Sequence, residues 1–264
     1  MPLYYEVDAP VSARFARIVD DPTGADNRVL HLQLSEATID VAYDGHKKGR
    51  VQTNGGFDPP ISELYYRQRM YLHPDLGMLL TYPEDGDPWW LGIIVQEMRA
   101  GSPTRGDAHS FLMDIRLEPD FAHSELHLVA EGKKAGQATA WETVWLAGDD
   151  ESAVPLGEWL TLEVGYRQGD CGTGRFVVVV WGEDQSEPRI VLNVTGWTFS
   201  PDSPQPVALN TWGGPQKIYA SDNVLDHIRQ GGGAAQIYFD DFEIGPGWPA
   251  SWQPPASTGI VVVE

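Results

Sequence analysis

Short runs of alternating apolar and polar residues recur along the chain, and this period of two is typical of half-buried β-strands. Residues 28–34, 110–118 and 125–131 alternate cleanly. Residues 63–72 alternate as well, so Leu64, Tyr66, Gln68, Met70 and Leu72 are predicted to share a face opposite Glu63, Tyr65, Arg67, Arg69 and Tyr71. Each run therefore predicts a strand with one face against a core.

Two further runs, residues 89–99 and 174–181, are apolar on both faces and predict central, buried strands. Shorter strands are predicted at residues 50–53, 141–146, 189–194 and 236–244. A turn is predicted at residues 54–56 and a stiff loop at residues 58–60, and no amphipathic helix of normal length is found. A dozen or more strands are too many for one open sheet. The sequence therefore predicts an all-β, two-sheet antiparallel jelly-roll sandwich, with residues 1–264 as one domain and 246–264 as its Pro-rich tail.

The charge limits the classes of partner. The 264 residues carry a net charge of −20, which argues against nucleic acid and anionic membranes as partners. It also argues against a polyanionic substrate, unless the 18 Lys and Arg gather at one site. The single cysteine, Cys171, excludes an intramolecular disulfide. The first residues show no signal-peptide pattern, and no apolar run has the length of a membrane helix.

The stretch 209–244 is the centre of the functional prediction. Lys217 and Tyr219 stand two apart on a short predicted strand, so the cation and the phenol share a face. A polar, Gly-rich segment separates them from a strand that carries Asp240 and Asp241. Cys-x-x-Cys and Gly-x-Ser-x-Gly do not occur, which argues against a cysteine-bound zinc site and a serine-hydrolase elbow.

Several segments resemble the concanavalin A-like lectin/glucanase superfamily, and its polysaccharide lyases in particular. The resemblance lies in a Leu-Gly-x-Trp step followed by an alternating strand, residues 156–164, and in residues 174–183, 191–198, 217–223 and 237–245, in that order. It is closest between residues 159 and 244 and looser between 50 and 116. The family's Arg-bearing strand corresponds to residues 62–69, and its late Lys and Tyr to Lys217 and Tyr219. Its Gln-x-His strand corresponds to residues 96–98, which hold no histidine.

The resemblance implies β-elimination on a uronate-containing polysaccharide in a concave groove. That reaction requires groups that neutralise the substrate carboxylate, a base for the C5 proton and an acid for the leaving oxygen. Arg67, Arg69 and Gln96 are predicted on the carboxylate, with Tyr219 as acid/base, His127 as second base and Lys217 assisting. The predicted substrate-binding residues are Glu63, Arg69, Arg116, Asn210 and Trp212.

Two alternatives stay open. A glycoside hydrolase would need two carboxylates across the scissile bond, and Glu63, Glu97, Asp114 and Glu131 are available. A lectin-like domain would need aromatic side chains in a groove, and the candidates are Trp89, Trp90, Trp141, Trp145, Trp197 and Trp212.

The remaining expectations follow the resemblance. Asp240 and Asp241 are candidate ligands for a structural calcium ion, and no cofactor is required. The partner is expected to be a polysaccharide or oligosaccharide, with no nucleic acid and no membrane. The protein is expected to be a monomer that works in the extracellular or periplasmic space.

Overall fold

The computed structural model describes residues 3–8, 11–40, 46–83, 91–101, 110–136, 141–148, 152–183, 187–245 and 247–248. Most of the predicted tail, a possible edge strand at residues 259–264, and Trp89 and Trp90 lie outside these residues. In the described part, seventeen strands form two antiparallel sheets, which confirms the predicted sandwich. Within the same part, no helix is long and apolar enough to cross a membrane.

The larger sheet has ten strands. Its main path runs in the order β1-β5-β15-β7-β8-β9-β10, and the short strands β4, β11 and β16 pair beside it. Its strands are β1 (Leu3–Asp8), β4 (Ile39–Asp40), β5 (Lys47–Ile61), β7 (Ile93–Ala100), β8 (Phe111–Asp120), β9 (Glu125–Ala135), β10 (Trp141–Ala147), β11 (Ala153–Val154), β15 (Leu209–Trp212) and β16 (Lys217–Ser221).

The smaller sheet has seven strands in the order β14-β13-β12-β6-β17-β3-β2. The strands predicted at residues 174–181 and 189–194 are β13 and β14, which pair antiparallel. The strands are β2 (Arg14–Asp20), β3 (Arg28–Leu34), β6 (Glu63–Leu72), β12 (Trp159–Arg167), β13 (Arg175–Gly182), β14 (Arg189–Thr195) and β17 (Ala235–Gly245).

The core lies between the two sheets and follows the predicted alternation. On β6 the even-numbered apolar side chains are buried, and on β8 the odd-numbered ones are buried. The side chains with at most 1% exposure include Leu64, Tyr66, Met70 and Leu72 on β6 and Phe111, Met113, Ile115 and Leu117 on β8. The other face of each sheet is the outer face, and functional groups are found there.

Three local predictions were wrong. The predicted turn at residues 54–56 and the predicted loop at residues 58–60 are both part of β5, and β1 and β15 pair with both edges of that strand at Gly55. A nine-residue helix, α1 (Asp222–Gln230), follows β16 directly, where a polar, Gly-rich segment without a helix was predicted. Val224, Leu225 and Ile228 are its buried residues, too few apolar positions for a clear helical period in the sequence. Two short 3-10 helices cover Val11–Ala13 and Pro74–Thr81.

Candidate functional site

Two rows of side chains cross the outer face of the ten-stranded sheet. In the first, Arg50 of β5 is opposite Tyr219 of β16, Tyr219 is opposite Ile94 of β7, and Ile94 is opposite Arg116 of β8. In the adjacent row, Gln52 is opposite Lys217, and Glu97, Asp114 and Glu131 follow across β7, β8 and β9. The strand pairing therefore gathers polar and charged groups that are far apart in the sequence.

A buried ion pair lies at the centre of the second row. Nζ of Lys217 donates to Oε2 of Glu97 at 2.6 Å, and the Lys217 side chain is 0% exposed. Arg99 donates to Oε1 of the same carboxylate at 3.1 Å. Burial alone would raise the pKa of Glu97, but Lys217 and Arg99 outweigh it and lower that pKa to about 2. Burial lowers the pKa of Lys217, and Glu97 opposes that shift. Glu97 is therefore ionised across the physiological range and holds two cations.

Three cations surround the ring of Tyr219. The ammonium of Lys217 lies 4.9 Å from the ring centroid, the Arg50 guanidinium carbon 5.6 Å and the Lys48 ammonium 5.7 Å. The Tyr219 side chain is half-buried, so part of it faces solvent. These cations lie within cation–π distance of the ring and give its surroundings a positive charge.

A hydrogen-bonded chain between the two sheets supports the turn before Lys217. Gln68 on the inner face of β6 donates to the carbonyl of Pro215 at 2.6 Å and accepts from Gln216 at 3.1 Å. Thr53 of β5 donates to the Gln216 side chain at 2.7 Å. Gly214 has a φ of +97°, a conformation that favours glycine. These contacts hold the turn against both sheets and direct Lys217 outward.

A second charged cluster continues the row on β8 and β9. Arg116 contacts Asp114 at 3.5 Å, Glu118 at 3.1 Å and Glu131 at 3.0 Å. Lys133 lies 3.1 Å from Asp114 and 2.7 Å from Glu131. Burial raises the pKa of Asp114, whereas Lys133 and Arg116 overcome burial and lower the pKa of Glu131. Arg116, predicted to bind substrate, is thus held by three carboxylates.

The prediction that Arg67 and Arg69 join Tyr219 at one sugar unit was wrong. Both arginines lie on β6 of the seven-stranded sheet, where they pair with Glu243 and Glu183 at 3.0 and 3.1 Å. Glu63 lies on the same strand and accepts from Arg167 at 2.7 Å. The two outer faces point away from each other across the core, so these residues cannot share a ligand with Tyr219.

Three further residues that were predicted to bind the substrate lie elsewhere, namely Gln96, Trp212 and Asn210. A register shift between Ile94 and Gln96 sets Gln96 opposite the core residue Ile115, with 0% exposure. Neither polar atom of its side chain has a hydrogen-bond partner among the described residues. Trp212 is in the core and stacks near Tyr66 and Phe57. Asn210 donates to the backbone carbonyl of Gly101.

His127 is on the predicted outer face but distant from Tyr219. It is buried, its Nδ1 is 3.1 Å from Oγ of Ser152, and its Nε2 is 3.6 Å from Glu125. Three strand spacings separate β9 from β16, which puts the two residues on the order of 14 Å apart. One sugar unit cannot bridge that distance, so His127 is not a second base beside Tyr219.

Asp240 and Asp241 lie on β17, directly after the part of the strand whose alternate side chains are buried in the core. Asp240 accepts from Nδ2 of Asn27 at 2.6 Å, and Asp241 has a φ of +46° at a register shift in the strand. Within the described part of the chain, no group of three or more His, Cys, Asp or Glu side chains could hold a metal ion. Calcium binding at these two residues stays an untested prediction.

The sequence analysis missed Arg50, Gln52 and Arg99 as site residues. The sequence does contain a signal that could have indicated the residues on β5. Along this strand, longer polar side chains alternate with other residues: Lys48, Arg50, Gln52 and Asn54 with Gly49, Val51 and Thr53. That alternation shows a polar face, but only the pairing of β5 with β16 sets it beside Tyr219. Among the predicted aromatic residues, Trp145 is core, while half-buried Trp141 lies on this face, 5.4 Å from the Arg99 guanidinium carbon.

Comparison with solved structures identifies the fold. A mutant of the alginate lyase Aly36B in complex with an alginate trisaccharide matches with a TM-score of 0.51 and 13% identity, over 91% of this chain and 86% of that one. The chain shares the jelly-roll fold of this lyase. An endo-beta-1,4-glucuronan lyase from Trichoderma reesei gives 0.46 and 14% over 92% and 94% of the chains. The PL-14 alginate lyase from Aplysia kurodai gives 0.47 and 11% over 92% and 90%.

No protein-family model matches the sequence, and no curated protein matches it. The likeness therefore supports the jelly roll, and the activity has to be argued from the site.

Proposed function

We propose that the protein is a polysaccharide lyase that cleaves a uronate-containing polymer on the outer face of the ten-stranded sheet. The observation that carries the proposal is the position of Tyr219, with Lys217, Arg50 and Lys48 around its ring. A phenol in that setting is suited to take a proton from carbon and return one to oxygen.

In the proposed reaction, Arg50 and Arg99 bind the carboxylate of the sugar and so acidify its C5 proton. The Tyr219 phenolate takes that proton. The electron pair left at C5 forms the C4–C5 double bond, and the C4–oxygen bond breaks. The protonated Tyr219 then donates to the departing oxygen, which restores the phenolate. Lys217 stabilises the phenolate before the first proton transfer and after the second, and Glu97 holds Lys217 in place.

The local charge supports an acidic substrate despite the net charge of −20. Lys48, Arg50, Arg99 and Lys217, with the carboxylate of Glu97, form a group of four cations and one anion. Arg116 and Lys133 also lie on the described part of this face, but Asp114, Glu118 and Glu131 neutralise them. A polyanionic substrate was expected to require cations gathered at one site. The group of four cations and one anion around Tyr219 meets this requirement.

The likeness to the alginate lyase Aly36B, whose structure holds an alginate trisaccharide, is consistent with this proposal. On the resemblance alone, we also propose that the protein is a monomer that works outside the cytoplasm, with no cofactor in the reaction.

The test is incubation with alginate, glucuronan and other uronate polymers. We expect ultraviolet absorbance from the C4–C5 double bond, in step with new reducing ends. New reducing ends without absorbance would indicate a glycoside hydrolase and contradict the proposal. Retarded migration in a gel that contains the polymer, with neither signal, would indicate a lectin-like domain and contradict it as well.

A further inference from the structure

The outer face of the seven-stranded sheet carries a depression that the proposed reaction does not use. It has a volume of about 570 Å³ and is open to solvent, and its lining includes Arg67, Arg69, Trp159, Thr161, Glu163, Trp181 and Glu183. Strand register creates it: Arg69, Thr161 and Trp181 stand opposite one another on β6, β12 and β13. Arg67 and Glu163 form the adjacent row.

Two tryptophan side chains, Trp159 and Trp181, line the depression, and contacts with neighbouring residues hold Trp159 in place. Trp159 is 1% exposed, its indole nitrogen donates to Asp21 at 3.2 Å, and the guanidinium of Arg69 lies over its ring at 4.7 Å. Trp181 is half-buried, so part of its indole faces the opening. Beside it are half-buried Thr161 and the carboxylate of Glu163, which is 8% exposed and to which Tyr65 is hydrogen-bonded. Flat aromatic rings beside planar polar groups suit the apolar faces and hydroxyl groups of sugars.

The charges of the depression differ from those around Tyr219. Arg67 is paired with Glu243 through two contacts of 3.0 and 3.1 Å, and Arg69 with Glu183 at 3.1 Å. Glu163 adds a third carboxylate, so the three acids outnumber the two arginines. A carboxylate-bearing sugar would compete with these pairs and meet a negative surface.

We propose that this depression binds a neutral oligosaccharide, independently of the reaction on the opposite face. Its volume accommodates about two or three sugar rings. Trp181 stacks on one ring, Thr161 and Glu163 hydrogen-bond to hydroxyl groups, and Arg69 donates its remaining N–H groups. The protein then has two glycan sites of different charge on opposite sides of one core.

The test is calorimetric titration of the whole protein with cellohexaose, laminarihexaose, mannohexaose and an alginate hexasaccharide. We expect at least one neutral hexasaccharide to bind and Trp181→Ala to weaken it tenfold or more. Ile18→Ala removes an apolar side chain that is 57% exposed on β2 of the same sheet, and should leave binding unchanged. Thr161→Val keeps the side-chain shape and should weaken binding several-fold. This variant provides the test if the Trp181→Ala protein does not fold.

Three outcomes would overturn the proposal: no neutral hexasaccharide binds, binding survives both substitutions in folded protein, or only the alginate hexasaccharide depends on Trp181. The titration measures binding without turnover, so its failure leaves the proposed lyase activity untouched. Loss of that activity, in turn, leaves the neutral-sugar site untouched.

Discussion

Nζ of Lys217 lies 2.6 Å from Oε2 of Glu97, and the lysine side chain is completely buried. The same ammonium lies 4.9 Å from the ring of Tyr219. Burial lowers the pKa of Lys217, and the carboxylate of Glu97 opposes that shift. Glu97 therefore favours the positively charged ammonium beside Tyr219, which the proposed reaction needs.

Glu97→Gln should destabilise the protein. The substitution leaves Lys217 and Arg99 buried without their shared carboxylate, and the loss of one partner of a buried pair costs about 3–5 kcal/mol. The free energy of unfolding in urea measures this. Glu243→Gln is the matched control, since that carboxylate is 61% exposed and its pair with Arg67 should contribute at most about 1 kcal/mol. Equal losses in the two variants would contradict the importance assigned to Glu97.

Tyr219→Phe should abolish elimination and preserve the fold. The ring stays, but the oxygen that moves the proton is gone, and loss of general acid–base catalysis typically costs about 10²- to 10⁴-fold in rate. The measurement is the rate of ultraviolet absorbance increase on whichever uronate polymer is active, with circular dichroism as the check of folding. Tyr238→Phe removes a phenol oxygen from the other sheet and should retain full activity. Full activity of Tyr219→Phe would remove Tyr219 from the mechanism.

His31 should make the protein less stable as the pH falls from about 6.5 to about 4. Burial lowers the pKa of this histidine to about 4, although Gln236 opposes the shift. The ring stacks on Tyr238 at 3.9 Å and meets the edge of Phe15 at 4.6 Å. Between the two pKa values the unfolded chain binds a proton that the folded protein does not, so stability rises with pH there.

The corresponding substitution is His31→Phe, which keeps a ring in the stack and removes the titration. We expect the free energy of unfolding to fall less between pH 6.5 and 4 than in the unmodified protein, by on the order of 2–3 kcal/mol. Urea unfolding at several pH values measures the difference. The same slope in both proteins would show that His31 does not titrate in this window.

Gln68→Leu should loosen the support beneath Lys217. It removes the partner of the Pro215 carbonyl and of the Gln216 amide, and each buried group left without a partner costs about 1–3 kcal/mol. Gln205→Leu, on an exposed loop, should change stability by less than about 0.5 kcal/mol. Urea unfolding compares the two. If the proposed reaction holds, Gln68→Leu should also lower its maximal rate, and unchanged stability would contradict the role of the buried chain.

The pattern of the sequence predicted the strands well where one face meets the core. Residues 28–34 and 63–72 were predicted with the observed bounds, and the buried and outward sides of β6 were assigned correctly. Lys217 and Tyr219 were correctly placed on one face of a short strand, because period two is a local property of extended backbone. Helix α1 was missed because its nine residues carry only three buried apolar side chains.

The all-β sandwich, the inward and outward sides of most strands, and a cation next to a phenol on β16 could all be predicted from the amino-acid sequence. The strand pairing shows that β6 lies in the other sheet, which separates Arg67 from Tyr219 and places Arg67 in the depression on the opposite face. It also decided that β5 and β7 flank β16, and that a register shift turns Gln96 inward. The physical reason is that alternation depends on the local backbone, whereas sheet membership and register depend on pairing between distant segments.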